Sequence, residues 1–195
     1  DHHGIERLKS LRAENIFSFE MSEIENLLLD EDFLKIFAKQ ILFDTDIEKI
    51  AECIKADIII ELEKELNIQI SNFVTAKINF YFNGSHISKG NDFAALNQNY
   101  IDFTSVVKIK DWYDDRETEL KELITQKNYR KILSVYNNKG LKYIANKHLK
   151  INDFTGRAIG FLRYHPETHD ILKKSFPNEI KKCRVGKGEF HPQTF

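Results

Sequence analysis

The chain has 195 residues, of which 42% are hydrophobic and 30% are charged, so it is long enough for a globular domain with a buried core. The formal net charge of −1 gives no overall electrostatic signature of nucleic-acid binding. The sequence shows neither an apolar run of membrane-spanning length nor the basic-then-apolar start of a signal peptide, which argues against a membrane protein. Cys53 and Cys183 are isolated, which argues against a disulfide framework or a thiolate metal site. We therefore expect a reduced, cytoplasmic protein.

The opening residues predict a loop, a helix and a short strand, in that order. Asp1-His2-His3-Gly4 is an acidic, histidine-bearing loop, and residues 4 to 14 have apolar positions at helical spacing. Residues 16 to 19, Ile-Phe-Ser-Phe, have the length and composition of a buried strand. Because loops at the carboxyl ends of neighbouring strands meet in one crevice, we expect Asp1 and Glu25 to lie close together there.

Glu25 has two interpretations at this stage. Ser22 and Glu25 fit the S-x-x-E capping box, which predicts a helix that begins here and gives Glu25 a structural role. The alternative is that Glu25 is a metal ligand. The sequence leaves both interpretations open.

The remainder of the chain is predicted to be mostly helical. Apolar spacing or composition predicts helices over residues 31–43, 46 to about 82, 111–126, 141–148 and 154–164. The second of these is either one long helix or two helices with a break near Asn67. Polar, glycine-containing residues predict a connection over 83–92 and a turn over 137–140, whereas 93–107 is ambiguous.

Charge is distributed unevenly along the chain. Acidic residues are frequent over 1–65, and basic residues over 127–187. Most such charge is solvated helix surface, but an acidic metal-binding half beside a basic half also suits a nuclease. The basic side chains that we nominate for nucleic-acid contact are Lys139, Lys142, Arg157 and Arg163.

The acidic loop, helix and strand, followed by Glu23-Ile24-Glu25-Asn26-Leu27-Leu28-Leu29, resemble the later part of a Toprim-like domain of the OLD-related kind. Such proteins accompany ABC-type or AAA ATPases in prokaryotic antiviral defence. A weaker similarity is an apolar stretch over 132–136 followed by Asn138-Lys139-Gly140-Leu141, although the family has Gly before Lys. The resemblance implies an α/β, α-rich fold with a partial Toprim- or Rossmann-like segment over 1–30 and a mostly helical region over 31–195.

The resemblance also implies a Mg²⁺- or Mn²⁺-dependent phosphodiesterase site. Asp1 matches the second Asp of the family's Asp-x-Asp motif, which makes it a candidate metal ligand. Glu25 matches the Glu of the family's Ile-Glu-Asn-Leu segment, which makes it a candidate ligand of the same metal ion or a group that orients the ligands. Both are candidate catalytic residues. The family's essential Glu matches no position here. Since the chain opens on Asp1 without an initiator methionine, we expect it to be a piece of a longer protein. The implied partners are an ATPase and DNA or RNA.

Two other interpretations compete with this one. Asp1-His2-His3 also matches the name-giving motif of the DHH phosphoesterases, but the other motifs of that family are not found downstream. The second alternative is a helical interaction module without catalysis. In that interpretation, residues 46–66 and the aromatic-rich residues 73–103 form an interface with an ATPase or with a second copy of the chain.

Overall fold

The computed structural model describes residues 21–43 and 45–175, and most of these residues are helical. The α-helices are α1 (Glu31–Ile41), α2 (Ile47–Gly84), α3 (Phe93–Ser105), α4 (Ile109–Thr125), α5 (Tyr129–Val135), α6 (Leu141–Leu149), α7 (Phe154–Tyr164) and α8 (His169–Leu172). Short 3-10 helices cover Ile24–Leu29, Pro166–Thr168 and Lys173–Ser175.

The predicted α-rich class is confirmed, but the described residues contain no β-strand that would belong to an α/β, Toprim- or Rossmann-like segment. The strand predicted over residues 16–19 lies outside the described residues, as does Asp1. Of the segment predicted over 1–30, the described part forms the 3-10 helix Ile24–Leu29. Among the described residues, no helix is both long enough and apolar enough to cross a membrane.

The capping box predicted for Ser22 and Glu25 is wrong. The residue before the 3-10 helix Ile24–Leu29 is Glu23, whose side chain makes no capping hydrogen bond. Ser22 is buried, and its hydroxyl group points to carbonyl oxygens at the end of α5. A serine hydroxyl can bond either to nearby backbone groups or to groups that the tertiary structure brings close. Here it bonds to carbonyl groups of a distant helix and does not cap the local one.

Helix α1 forms where the sequence predicts it. The carboxylate of Asp30 accepts hydrogen bonds from the backbone N–H groups of Asp32 and Phe33, which caps the helix. Phe33 and Phe37, one helical turn apart, are both buried in the core.

Helix α2 is the longest element of the described structure. It runs from Ile47 to Gly84 as one helix, which is the first of the two alternatives that the sequence left open, and shows no break near Asn67. At 1.5 Å per residue its 38 residues span about 57 Å. The Asp46 side chain accepts from the Lys49 N–H group and caps its start. Its buried side chains lie between residues 51 and 74, and Ile78 still packs against the core, so the helix extends beyond the core only after residue 78.

A single hydrophobic core joins the start of the described chain to the helices that follow. Met21 and Leu29 belong to the same buried cluster as residues from α1, α2, α4, α5, α6 and α7. In its centre, the ring of Phe37 makes edge contacts with Phe154 at 5.7 Å and with Phe161 at 5.6 Å between centroids. Residues 21–30 therefore pack against the helices that follow. The division of the chain into two domains at residue 30 remains a prediction.

Candidate functional site

Carbonyl groups at the end of α5 are bound by side chains from the start of the described chain. The Asn26 side-chain amide donates to the carbonyl oxygens of Leu133 at 2.9 Å and Tyr136 at 3.1 Å. The Ser22 hydroxyl lies within hydrogen-bonding distance of the same two oxygens, and 2.9 Å from Asn26 Nδ2. Both side chains are buried. Because the last carbonyls of a helix have no partner within it, these contacts fix the end of α5 to the Ile24–Leu29 segment. We call Ser22 and Asn26 the polar lock.

A second contact to the end of α5 comes from α4. Arg116 is buried, and its guanidinium group donates to the Val135 carbonyl oxygen at 3.3 Å. The same group pairs with Glu119 and lies 4.5 Å from the centroid of the Phe73 ring. Arg116 therefore links α5 to α4 and α2, and it combines an ion pair with a cation–π contact.

The turn after α5 is bound to the middle of α2 by four polar side chains, which we call the Glu65 cluster: Glu65, Gln69, Tyr136 and Asn138. One carboxylate oxygen of Glu65 accepts from the Tyr136 hydroxyl at 2.7 Å and the Asn138 amide at 3.0 Å. Gln69 lies 3.4 Å from the same oxygen. Asn138 in turn accepts from the backbone N–H group of Gly140. The Asn137–Gly140 turn is thus held in one position against α2.

Burial raises the pKa of Tyr136 above its usual range, and the hydrogen bond to the negatively charged Glu65 raises it further. Both effects favour the protonated phenol. Tyr136 therefore acts as a hydrogen-bond donor to Glu65, and its position gives it a structural role.

A groove of about 550 Å³ lies between α2 and α6, beside the Glu65 cluster. Its charged lining consists of Asp57, Glu61, Lys64, Glu65 and Lys147. Asp57 accepts from His148 Nε2 at 2.8 Å and from Lys147 Nζ at 3.0 Å, and these two contacts lower the pKa of its carboxyl group. Since carboxylates and cations are mixed along this groove, it has no consistent positive charge that would attract a phosphate backbone.

A smaller groove of about 370 Å³ lies between the start of α1 and the start of α5. It brings together the basic side chains Lys55, Lys127, Arg130 and Lys174 with carboxylates from residues 30–32. Lys55 pairs with Glu31 at 2.9 Å, and Lys174 pairs with Asp32 at 2.6 Å. These ion pairs connect α1 to α2 and to the end of the described chain.

Of the two predicted metal ligands, the structure describes Glu25. Glu25 lies in the first turn of the Ile24–Leu29 helix with a half-buried side chain, one residue before the lock residue Asn26. Asp1 lies outside the described residues, so its proximity to Glu25 stays a prediction. Within 21–43 and 45–175, no group of three or more His, Cys, Asp and Glu side chains could hold a metal ion. The described part of the chain does not by itself complete a metal site.

The basic residues predicted to contact nucleic acid fall into two pairs. Lys139 is exposed in the turn before α6, and Lys142, three residues later, lies with its ammonium group 5.5 Å from the Tyr143 ring centroid. Arg157 and Arg163 are exposed on α7, but six residues are about one and two-thirds helical turns, so they leave the helix in different directions. The first pair can therefore share one surface of the protein more readily than the second.

Sequence reasoning missed the polar lock and the Glu65 cluster. Their partners are separated by large stretches of chain: 107 residues between Asn26 and Leu133, and 71 between Glu65 and Tyr136. A signal was present in Asn26, a polar residue directly before three leucines, because a buried polar side chain requires hydrogen-bond partners.

No protein-family model, no curated protein and no solved structure matches this chain significantly.

Proposed function

We propose that this chain is part of a Toprim-like, metal-dependent nuclease that acts with an ATPase partner in cytoplasmic antiviral defence. The proposal starts from the resemblance of residues 1 to 30 to that family. In it, Asp1 and Glu25 are oxygen ligands of Mg²⁺ or Mn²⁺, a hard cation that polarises a phosphate group and activates water.

The observation that supports this proposal best is the attachment of the Glu25 segment. Asn26 is buried and donates to two carbonyl groups of α5, so the backbone next to Glu25 is held by a distant helix. Glu25 itself stays half-buried, and it makes no ion pair within the described residues. A carboxylate presented on a fixed segment and not neutralised by a cation suits a metal ligand.

The donor set fits the proposed metal only in part. Glu25 supplies one carboxylate, and the remaining ligands must come from Asp1 and from residues outside the described part of the chain, because no complete cluster lies within it. In this proposal the helical region serves as the support for the site, and Lys139 and Lys142 bind phosphate groups of DNA or RNA.

Calorimetric titration with Mn²⁺ tests the proposal, in the present chain and in a chain extended upstream by the strand and the Asp that the resemblance implies. We expect the extended chain to bind Mn²⁺ and to cleave nucleic acid, and we expect Glu25→Gln to weaken both. Glu23→Gln is the matched control, because Glu23 is also half-buried and lies two residues away. Equal Mn²⁺ affinity of the extended wild type and its Glu25→Gln variant would overturn the assignment.

A second candidate function is a helical interaction module without catalysis. It is favoured by a specific observation, the exposed apolar side chains near the end of α2 and on α3. This function requires no metal ligand, so Glu25→Gln would leave it unchanged. Loss of assembly on substitution of α3, without any effect of Mn²⁺ on the extended chain, would favour this candidate over the nuclease.

A further inference from the structure

Residues 79–109, which we call the arm, expose an unusually apolar surface. The arm comprises the end of α2, the connection to α3, α3 itself and the first residue of α4. Helix α3 has no buried residue, although it contains Phe93, Leu96, Tyr100 and Ile101. The exposed large apolar side chains of the arm are Phe80, Phe82, Ile87, Phe93, Leu96, Tyr100, Ile101, Val106 and Ile109.

The arm is ordered by a small number of contacts. The Tyr81 hydroxyl donates to the Phe103 carbonyl oxygen at 2.9 Å, and the Phe103 ring lies 5.4 Å from the rings of both Tyr81 and Phe82. Asn99 donates to backbone carbonyl oxygens of Ser88 and Lys89 in the connection. These contacts fix α3 against the end of α2 and leave one of its faces uncovered by the described residues.

The uncovered face is continuous. Phe93, Leu96 and Tyr100 follow one another at spacings of three and four residues, which places them on one side of α3. Phe103 continues this row and contacts Phe82, which is itself 41% exposed. The apolar surface therefore runs from the end of α2 along the length of α3.

The exposed area of this face corresponds to a weak protein interface. With about 200 Å² for each large apolar side chain, the exposed fractions of Phe82, Phe93, Leu96 and Tyr100 amount to roughly 450 Å². The largest apolar patch of a typical monomer is about 300–600 Å² and is often functional. Two copies of this face would bury roughly 900 Å² in total, which is the size of a weak, transient protein interface. The face therefore fits a dimer that forms and dissociates with concentration.

The charge of the arm indicates which partner fits. Of its residues, only Lys89, Asp92, Asp102 and Lys108 carry a charge, and these cancel, whereas 30% of the whole chain is charged. A nucleic acid or an anionic membrane would require an excess of Lys and Arg. In a twofold dimer the same surface faces itself, so a neutral apolar face meets its copy without like-charge repulsion.

We propose that the arm binds the arm of a second copy of this chain, with the Phe93, Leu96 and Tyr100 face of α3 at the centre of a twofold interface. The inference does not rest on the proposed nuclease function, and its test uses neither metal nor nucleic acid.

Sedimentation analysis of the whole chain over a range of concentrations tests the proposal. We expect a monomer–dimer equilibrium in the wild type. Phe93→Glu and Leu96→Glu should each raise the dimer dissociation constant about tenfold or more, because each buries an unpaired charge twice in the interface. Phe43→Glu is the matched control, since Phe43 is 90% exposed, Phe93 is 82% exposed, and Phe43 precedes the opposite end of α2.

Three outcomes would overturn the proposal. A wild type that stays monomeric at all concentrations would exclude self-association, even if the arm bound a different protein. A dimer that persists in both α3 variants would place the interface elsewhere, as would equal weakening by Phe43→Glu. Circular dichroism verifies the helical content of each variant. If Leu96→Glu lowers it, Phe93→Glu decides the question alone, because the Phe93 side chain is exposed in the monomer.

Discussion

The amide group of Asn26 donates a 2.9 Å hydrogen bond to the carbonyl oxygen of Leu133, a residue 107 positions later in the chain. Both groups are buried, so neither can exchange this partner for water. The contact connects the Ile24–Leu29 segment to the end of α5. Tyr136, which lies three residues after Leu133 and belongs to the Glu65 cluster, can reach Glu65 only if α5 keeps this position.

Asn26→Ala is expected to lower the free energy of unfolding by about 2 kcal/mol, because it leaves buried carbonyl groups of Leu133 and Tyr136 short of a donor. Urea unfolding followed by circular dichroism measures the change. Asn152→Ala is the control: Asn152 is exposed, and its substitution should alter stability by less than about 0.5 kcal/mol. Equal effects of the two substitutions would mean that the polar lock adds no stability.

The raised pKa of Tyr136 predicts a loss of stability at alkaline pH. In the unfolded chain the phenol ionises near its ordinary pKa of 10.0, whereas in the folded protein it stays protonated to higher pH. Its contribution is therefore complete below pH 10.0 and is lost as pH rises above that value towards the folded pKa.

Urea midpoints measured at intervals from neutral to strongly alkaline pH should show this loss, and Tyr136→Phe should reduce the slope above pH 10.0. Tyr164→Phe removes a phenol that is 84% exposed and serves as the control. An unchanged alkaline slope in Tyr136→Phe would contradict the prediction that burial and Glu65 raise the pKa of Tyr136 in the folded protein.

Lys150→Gly is expected to stabilise the protein. Lys150 follows the end of α6 with a φ of 53°, a left-handed conformation that glycine adopts without the steric cost of a side chain. We expect a gain of about 1 kcal/mol in the free energy of unfolding.

The matched control for that gain is Lys121→Gly, which makes the same chemical change at an exposed position inside α4 and should cost about 1 kcal/mol. Opposite signs for the two substitutions, measured by thermal or urea unfolding, would establish the role of backbone conformation. A loss of stability in both would show that the Lys150 side chain makes a contribution larger than its backbone strain.

Local features of the sequence predicted most of the helices correctly. Asp30 followed by the spacing of Phe33 and Phe37 was sufficient for α1, and the polar Asn137–Gly140 stretch was sufficient for the turn before α6. Both signals depend on residues within a few positions of each other, which is the range over which helical periodicity and turn preferences act.

The candidate site was less predictable, because its contacts join distant residues. Ser22 satisfied a local capping pattern, yet the carbonyl group of Leu133 is its acceptor, 111 residues away. Nothing in the spacing of the sequence shows that Tyr136 and Glu65 will meet, since that depends on how α5 packs against α2. The ambiguity of residues 93–107 had a different cause: α3 has no buried face to impose a clear apolar period.

The uninterrupted length of α2 keeps the arm at a distance from the Glu25 segment and from the groove beside Glu65. Its last side chain that packs against the core is Ile78, and the helix continues to Gly84, so its end lies about 9 Å past the core. Two copies joined through their arms would keep their cores apart, with the Glu25 segment and the groove beside Glu65 open to solvent in each. Each copy could then bind a ligand there without first separating from the other, so pairing and ligand access need not compete for the same surface.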